Sequence, residues 1–596
     1  MSPRQPKPPT DEQKAVLASN ARVTVVRACP GAGKTEVFVE AIRQRLATWK
    51  ADGTGLAALS FTNIARETIE ARVGGGVPPP HFVGTLDSFV FRFIVKPFGH
   101  LVGLPTGAVR LFPAVICNHL EEPSVQVGPE AATRSSLYEV HFCGLDGDKP
   151  LIKARARVNG SVKRTVTVPS ELSDSVLERK RGFWKNTGIV THSDCHFLAS
   201  SILRHKVHGA RVCELIARRF PVIFIDELQD TGFFLGRAFL KLFAVDRISG
   251  LVVGDPNQAI YGFGGASPTI FDDFEKLSGA VPMSLKLSQR CPKRVAQIAS
   301  LLSAGGKAVE PLPQAAEGQA TLLVHSLDDA CLNPEQAKTI RALLVGLELA
   351  IIARKTATAR ALSGETVRDE FAGKSKAARR LNLAVQHLRN GEPREAAQLV
   401  ERELSRVIFD DDRAGVEVRQ KKGITPAKWR AAVYQVLIAG LAAVDGETWN
   451  HWVERMKQAV KAVGLSLGWT EQAKPLRAYM KCQVAGDVPR AGLLDVPLAA
   501  LWLMTDIVTT IHKVKGAEFD TVILFVPKPS KNQCPSIQWW SDDDGGEERR
   551  VAFVAASRAK QRFVLCVHSA TLDAMKQSRP EFVACFKETL QLPAGA

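Results

Sequence analysis

The octet Ala28-Cys29-Pro30-Gly31-Ala32-Gly33-Lys34-Thr35 follows an apolar, strand-like run from Ala21 to Arg27 and precedes a helical stretch from Glu36 to about Trp49. Residues of these types at this spacing do phosphate chemistry. The N–H groups of a glycine-rich turn wrap phosphate oxygens, Lys34 reaches the β and γ oxygens, and the Thr35 hydroxyl sits on Mg2+. A second apolar run, Pro221 to Ile225, ends in the adjacent carboxylates Asp226 and Glu227, with Leu228-Gln229-Asp230 behind them. Such a strand aims Asp226 at a metal shell, while Glu227 can orient and deprotonate an attacking water. Together the two elements predict a site that binds a nucleoside triphosphate with Mg2+ and hydrolyses it.

Strands and helices must hold those loops. Apolar runs at Val23 to Ala28, Leu56 to Ser60, Val222 to Ile225, Leu251 to Gly254 and Val522 to Val526 alternate with helical patterns, which predicts an α/β fold with parallel sheets. Two stretches break the rhythm. Within the first, 105–187, the alternating basic segment Leu151 to Val168 reads as a hairpin turning near Asn159-Gly160. The second, 363–496, is helical and rich in Arg and Lys. Both read as subdomains inserted into α/β cores, giving a first core of 1–104 with 188–280 and a second of 281–362 with 497–596.

With 596 residues the chain exceeds one hydrophobic core, and 78 Lys plus Arg against 61 Asp plus Glu leave a net charge of +17. That excess points to a polyanion, nucleic acid before anionic membrane, because each neutralised phosphate releases condensed counterions. No apolar run reaches the roughly 18 residues of a membrane span, and the N-terminus lacks an apolar signal core, so a soluble cytoplasmic protein is expected. The 11 cysteines form no Cys-x-x-Cys pair, which argues against a zinc ribbon or an iron–sulfur cluster. His192-Ser193-Asp194-Cys195-His196 could offer metal ligands. It reads better as a helix start, capped by Ser193 or Asp194, with Phe197, Leu198 and Ile202 at helical spacing.

Further motifs follow in order. They are Thr10-Asp11-Glu12-Gln13, Leu59-Ser60-Phe61-Thr62-Asn63, Gly84-Thr85-Leu86-Asp87-Ser88-Phe89, Val253-Gly254-Asp255-Pro256-Asn257-Gln258-Ala259-Ile260-Tyr261-Gly262-Phe263, Leu287-Ser288-Gln289-Arg290, Ile511-His512-Lys513-Val514-Lys515-Gly516-Ala517-Glu518, and Glu547 to Ala559. The ordered set resembles UvrD/Rep/PcrA-type superfamily 1 DNA helicases, from Gln13 to Arg558. The resemblance implies two RecA-like parallel-sheet P-loop cores, each carrying an inserted subdomain.

It also implies roles. Gln13 would bond an adenine edge, Glu518 would join residues 28–35 in the nucleotide site, and Thr35 and Asp226 would hold Mg2+. Gln258 would sense the γ-phosphate, and Arg290 and Arg558 would reach it from the second core, where such an arginine is typically worth about 10³–10⁵ in rate. Phe61, Tyr261 and Phe263 could stack on bases, while Thr62, Asn63, Thr85, Ser88 and His512 would contact phosphate or sugar. Gln289 stands where the family usually has an adenine-stacking aromatic, Phe263 where tryptophan is common, and Asp87 where histidine is frequent.

The expected activity is ATP-dependent 3′-to-5′ tracking on single-stranded DNA with unwinding of tailed duplexes. One alternative is the motor or nucleotide-sensing subunit of a Gabija-like anti-phage nuclease complex. About 38 residues follow Arg558, too few for an appended nuclease, so cleavage would belong to a partner protein. Another is a DNA-binding ATPase switch that does not unwind.

Overall fold

The computed structural model describes residues 8–593 apart from 51, 62, 74–76, 112–123, 132, 159–161, 263–264, 304–308, 329, 331, 363–375, 390–392, 410–422, 443–447, 469–506 and 530–545. Two six-stranded sheets organise these residues, and every strand pair in both is parallel. In spatial order the first comprises Ala280–Leu285, Val23–Ala28, Ser249–Gly254, Val222–Ile225, Leu56–Ser60 and Phe82–Thr85. The second comprises Ile507–Thr510, Leu349–Ala353, Phe519–Val526, Ala559–His568, Gln319–His325 and Glu588–Gln591.

Inner strands of a parallel sheet are covered on both faces, so they read as unbroken apolar runs. Leu56–Ser60, Val222–Ile225 and Leu349–Ala353 are buried along their whole length. Gly250 has a packing reason as well: a Cβ there would overlap the carbonyl oxygen of Ile223 on the neighbouring strand. Residues 28–35 and Asp226-Glu227 both leave the carboxyl ends of strands in one sheet, where open α/β sheets bind ligands.

The first core extends past the boundary expected at 280. Ala280–Leu285 pairs in register with Val23–Ala28 and closes the first sheet. It is an edge strand with Pro282 in it and only Leu285 fully buried, so it carries no apolar run by which a sequence would announce it.

Within 105–187 the structure forms a five-stranded antiparallel sheet from Ser124–Gln126, Arg134–Ser136, Val140–Asp146, Lys149–Val158 and Val162–Thr167. The last two strands are the expected hairpin, its turn lying outside the described residues. One face of the sheet, including Val140, Phe142, Ile152 and Ala154, shares a single hydrophobic cluster with Trp184 of helix Ser170–Thr187 and with Phe234 and Phe239 of the first core. The helices Lys376–Arg389, Pro393–Phe409, Pro426–Leu441 and Trp449–Ser466 instead form a core of their own around Leu381, Val400, Trp429 and Trp452.

The histidine-containing segment is a helix start, His192–Leu203, but its cap is Thr191 rather than Ser193 or Asp194. Asp194 is the third helical residue and completes a reciprocal capping box with Thr191. The same buried carboxylate accepts from Lys180 Nζ at 2.5 Å and from Trp184 Nε1 at 3.0 Å. His192 and His196 turn to Asp87 instead. Asp194→Ala strands a buried ammonium, which typically costs about 3–5 kcal/mol. Urea unfolding of the first core should show a loss of that size, and a loss below about 1 kcal/mol would mean that Lys180 finds another partner.

Candidate active site

The 28–35 loop needs two left-handed backbones, which Gly31 (φ 74°) and Gly33 (φ 76°) supply. A Cβ on Gly33 would strike the Gln13 amide, and one on Gly31 would strike Arg290. The loop is therefore braced from both cores. On one side Thr10 and Gln13 form a capping box, the Thr10 N–H donating to Gln13 Oε1 at 2.9 Å, while Gln13 Nε2 donates to the Ala32 carbonyl at 2.8 Å. On the other, Ser288 Oγ donates to the Pro30 carbonyl at 2.7 Å and the Gln289 N–H to that of Gly31 at 2.8 Å. Cys29 Sγ donates to the Lys286 carbonyl at 3.0 Å, and burial pushes its thiol far above the usual range.

Facing the loop stands a group of acids. Asp226, Asp230 and Asp255 are buried and Glu227 is half-buried. Glu227 has φ 56°, the one left-handed non-glycine residue among those described. Such a backbone costs about 1–3 kcal/mol and tends to persist at functional sites. Gln229 explains how it is held: its Nε2 donates to Glu227 Oε2, and its Oε1 accepts the Asp255 N–H at 2.9 Å. One amide thus ties the expected base to the next strand end. Its only signal in the sequence is its place two residues after the acid pair, which by itself assigns it no role.

Burial, aided by the neighbouring Glu227, pushes Asp226 up to about 7 in spite of Lys34. Burial acts on Glu227 as well, but Lys34, Lys515, the Gln229 amide and Arg558 outweigh it and hold that carboxyl below its ordinary range. The pair is thus split into a carboxylate reluctant to ionise and a readily ionised neighbour. A donor set of this kind fits a divalent cation, which would relieve the crowding of negative charge around Asp226.

The second core closes the ring. Arg558 is buried and donates through NH2 to Gln258 Oε1 at 3.2 Å, while Gln258 Nε2 donates to Asp255 Oδ2 at 2.7 Å. Burial, with Arg290 close by, lowers the Arg558 guanidinium to about 9. Arg290 Nε donates to Glu518 Oε2 at 2.9 Å, so Glu518 orients an arginine here. Lys515 crosses between the cores, its Nζ lying 2.5 Å from Asp230 Oδ1 and 2.7 Å from the Gln258 carbonyl, with both partners of the ion pair buried. A cavity of about 550 Å³ opens beside this ring, lined by Thr10, Gln289, Arg290, Leu312, Gln314 and Lys560.

Some of the residues expected to meet DNA converge next to the acids. The Phe61 and Tyr261 rings lie 5.5 Å apart with a 30° tilt, and His512 stands edge-on to Tyr261 at 6.1 Å. Lys515 Nζ sits 5.0 Å from the Tyr261 ring centre, so the residue that bridges the cores also touches the aromatic row. Phe61 and Tyr261 are each partly buried against a different core. Thr85 caps the helix Leu86–Val90, accepting the Ser88 N–H at 3.2 Å, and Ser88 Oγ returns a bond to the Thr85 carbonyl at 2.7 Å. Thr62 and Phe263 lie outside the described residues, as does the side chain of Asn63.

Two parallel-sheet cores that close a phosphate loop between an acid pair and arginines from the opposite core define a two-core P-loop ATPase. The model of the UvrD/REP helicase N-terminal domain matches residues 9–113 and 167–278, and that of the UvrD-like helicase C-terminal domain matches 506–570. The chain is similar to DNA helicase II of Escherichia coli, at 23% identity over 93% of this chain and 84% of that protein. It is 25% identical to ATP-dependent DNA helicase srs2 of Schizosaccharomyces pombe over 48% of this chain, and the match spans about a third of that protein, 34%. It is 26% identical to Gabija protein GajB of Bacillus cereus over 42% of this chain and 40% of that protein. The chain belongs to the UvrD-like helicase family.

Gln229→Ala removes the amide that fixes Glu227 without touching the phosphate loop. A positioned base is worth about 10²–10⁴ in rate, so ATP turnover should fall by roughly one to two orders of magnitude with nucleotide affinity retained. Steady-state kinetics alongside nucleotide-binding titration separates this from a binding defect, and unchanged turnover would sink the positioning role.

Proposed function

We propose that the chain hydrolyses ATP to move 3′ to 5′ along single-stranded DNA in the cytoplasm, and that this movement unwinds tailed duplexes. The observation that carries the reading is the sharing of Lys515 between the acid group and the aromatic row. Whatever changes the separation of the cores at the phosphate site must also change the grip of Phe61, Tyr261 and His512.

Each residue has a task in that cycle. Lys34 and the N–H groups of residues 28–33 hold the triphosphate, and the cavity beside Gln289 has room for the base. Thr35 and Asp226 would hold Mg2+, which would supply charge neutralisation at the phosphates. Glu227, kept ionised by its cationic neighbours, takes a proton from water. Arg290 and Arg558 stabilise charge on the transferred phosphoryl group, with Gln258 bonded to Arg558 in the position of a sensor. In the state described, Gln13 spends both amide ends on Thr10 and Ala32. Adenine recognition by Gln13 then requires that it exchange one of these bonds.

A second reading concerns partners. Two similarities support a role as the motor beside a nuclease: that to GajB, and 33% identity over 22% of this chain to one of the ATP-dependent helicase/nuclease proteins of Exiguobacterium sibiricum. Purification of the tagged chain from its native cells, followed by a nuclease assay, tests this.

Lys34→Ala should abolish both nucleotide binding and hydrolysis, whereas Glu227→Gln should bind nucleotide and fail to turn over; normal turnover in the second variant would reassign the base. Arg558→Ala should cost at least about 10³ in kcat. Unwinding of duplexes with 3′ or 5′ tails tests polarity: release from the 3′-tailed substrate alone is expected. ATP hydrolysis without strand release on either would favour a switch over a motor. Tyr261→Ala should reduce DNA-stimulated hydrolysis while leaving the basal rate and the salt dependence of DNA binding nearly unchanged, since stacking neutralises no phosphate.

A further inference from the structure

The antiparallel sheet of residues 124–167 occupies a stretch, 114–166, that the family model passes over. What it adds belongs to this chain. Its register sorts side chains by face, because neighbours across a ladder and residues two apart along a strand share one side of the pleat. Ile152, Ala154 and Ala156 point into the cluster shared with the first core. The alternate positions of the same strand are Lys149, Leu151, Lys153, Arg155 and Arg157.

Partners across the ladder extend that outer row. Lys153 pairs with His141 and Thr167, Arg155 with Thr165, and Arg157 with both Lys163 and Arg134. Lys149, Arg155 and Arg134 are exposed and Lys153 half-exposed. Only Asp146, opposite Lys149 at the hairpin end, contributes an acid at these register positions. Lys149 is drawn off further by Asp174 at 2.6 Å, and Arg134 bonds Ser124. The cationic centre of the face is therefore Lys153 and Arg155, with Arg157 and Lys163 next in register.

Its chemistry distinguishes this face from the aromatic row. Among the described residues the outer positions hold no Phe, Tyr or Trp, so nothing there can act as a stacking platform for an unpaired base. Threonines and cations two residues apart, about 6.6–6.8 Å along a strand, suit a regular line of phosphates. The sheet is also fixed in place: a Cβ on Gly265, just beyond the loop that follows Tyr261, would overlap the carbonyl of Cys143 in this sheet.

We propose that the outer face of this sheet binds the sugar-phosphate backbone of duplex DNA, beside the single strand held by the aromatic row. The inference rests on the DNA-tracking reading above. It assigns the duplex to the inserted sheet and the unpaired strand to the two cores.

The test compares wild type with Lys153→Gln/Arg155→Gln and with the charge-preserving Lys153→Arg/Arg155→Lys. Binding of a blunt duplex and of a single-stranded oligonucleotide is titrated at several salt concentrations. For duplex, the neutralised variant should lose about 0.9 per phosphate contact in the slope of log K against log salt, roughly 1.8 for two, and the charge-preserving variant should restore it. Single-strand binding and ATPase stimulated by the oligonucleotide should match wild type, which also shows that the variant is folded. An unchanged duplex slope overturns the assignment, and so does an equal loss on both DNAs, which would place the single strand on this face. If wild type binds neither DNA, the DNA-tracking reading fails and this inference with it.

Discussion

A buried ion pair between two separately folded cores is the constraint around which the rest of the molecule is arranged. Lys515 leaves the second core and ends between Asp230 and the Gln258 carbonyl of the first. In a poorly solvated position neither charge is tolerable alone, so the two cores meet in one register or not at all. That register sets Arg558 against Gln258 and Ser288 against Pro30. The phosphate loop is consequently held by contacts from both cores, and the arginines that complete the site arrive with the same rigid body.

The same residues show why acid chemistry can be divided between adjacent carboxylates. Asp226 and Glu227 differ by one position, yet their surroundings push them apart: burial raises the first, and four cationic or amide neighbours lower the second. The left-handed backbone at Glu227 turns its side chain from the strand direction toward Gln229, where the amide fixes it. Strain, hydrogen bonding and charge thus act on one side chain, and each comes from a different element.

Much of this was legible in the chain itself. The loop at 28–35 and the acids at 226–227 have fixed spacing because a tight turn and a strand end allow little else, and inner parallel strands betray themselves by continuous apolar runs. Edge strands do not, which is why Ala280–Leu285 fell on the wrong side of an expected boundary. The cap at Thr191 was missed in favour of its neighbours because a capping box places its acid three residues inside the helix, where Asp194 also serves Lys180 and Trp184. Gln229 was unreadable for a different reason: its value lies in joining two loops, a relation between Glu227 and Asp255 that no local pattern encodes. The aromatic trio is intermediate, since Phe61, Tyr261 and His512 were recognisable singly while their convergence depends on how the cores dock.

Every group around the phosphate loop, from Lys34 and Glu227 to Arg290 and Arg558, is supplied by a single polypeptide. Assembly of the site is therefore an intramolecular event governed by effective concentration rather than by encounter between separate chains. Specific activity should accordingly be independent of dilution, with no threshold protein concentration below which turnover collapses. Any cooperativity along a DNA lattice would then originate in neighbouring molecules crowding the strand and leave the composition of each catalytic centre untouched.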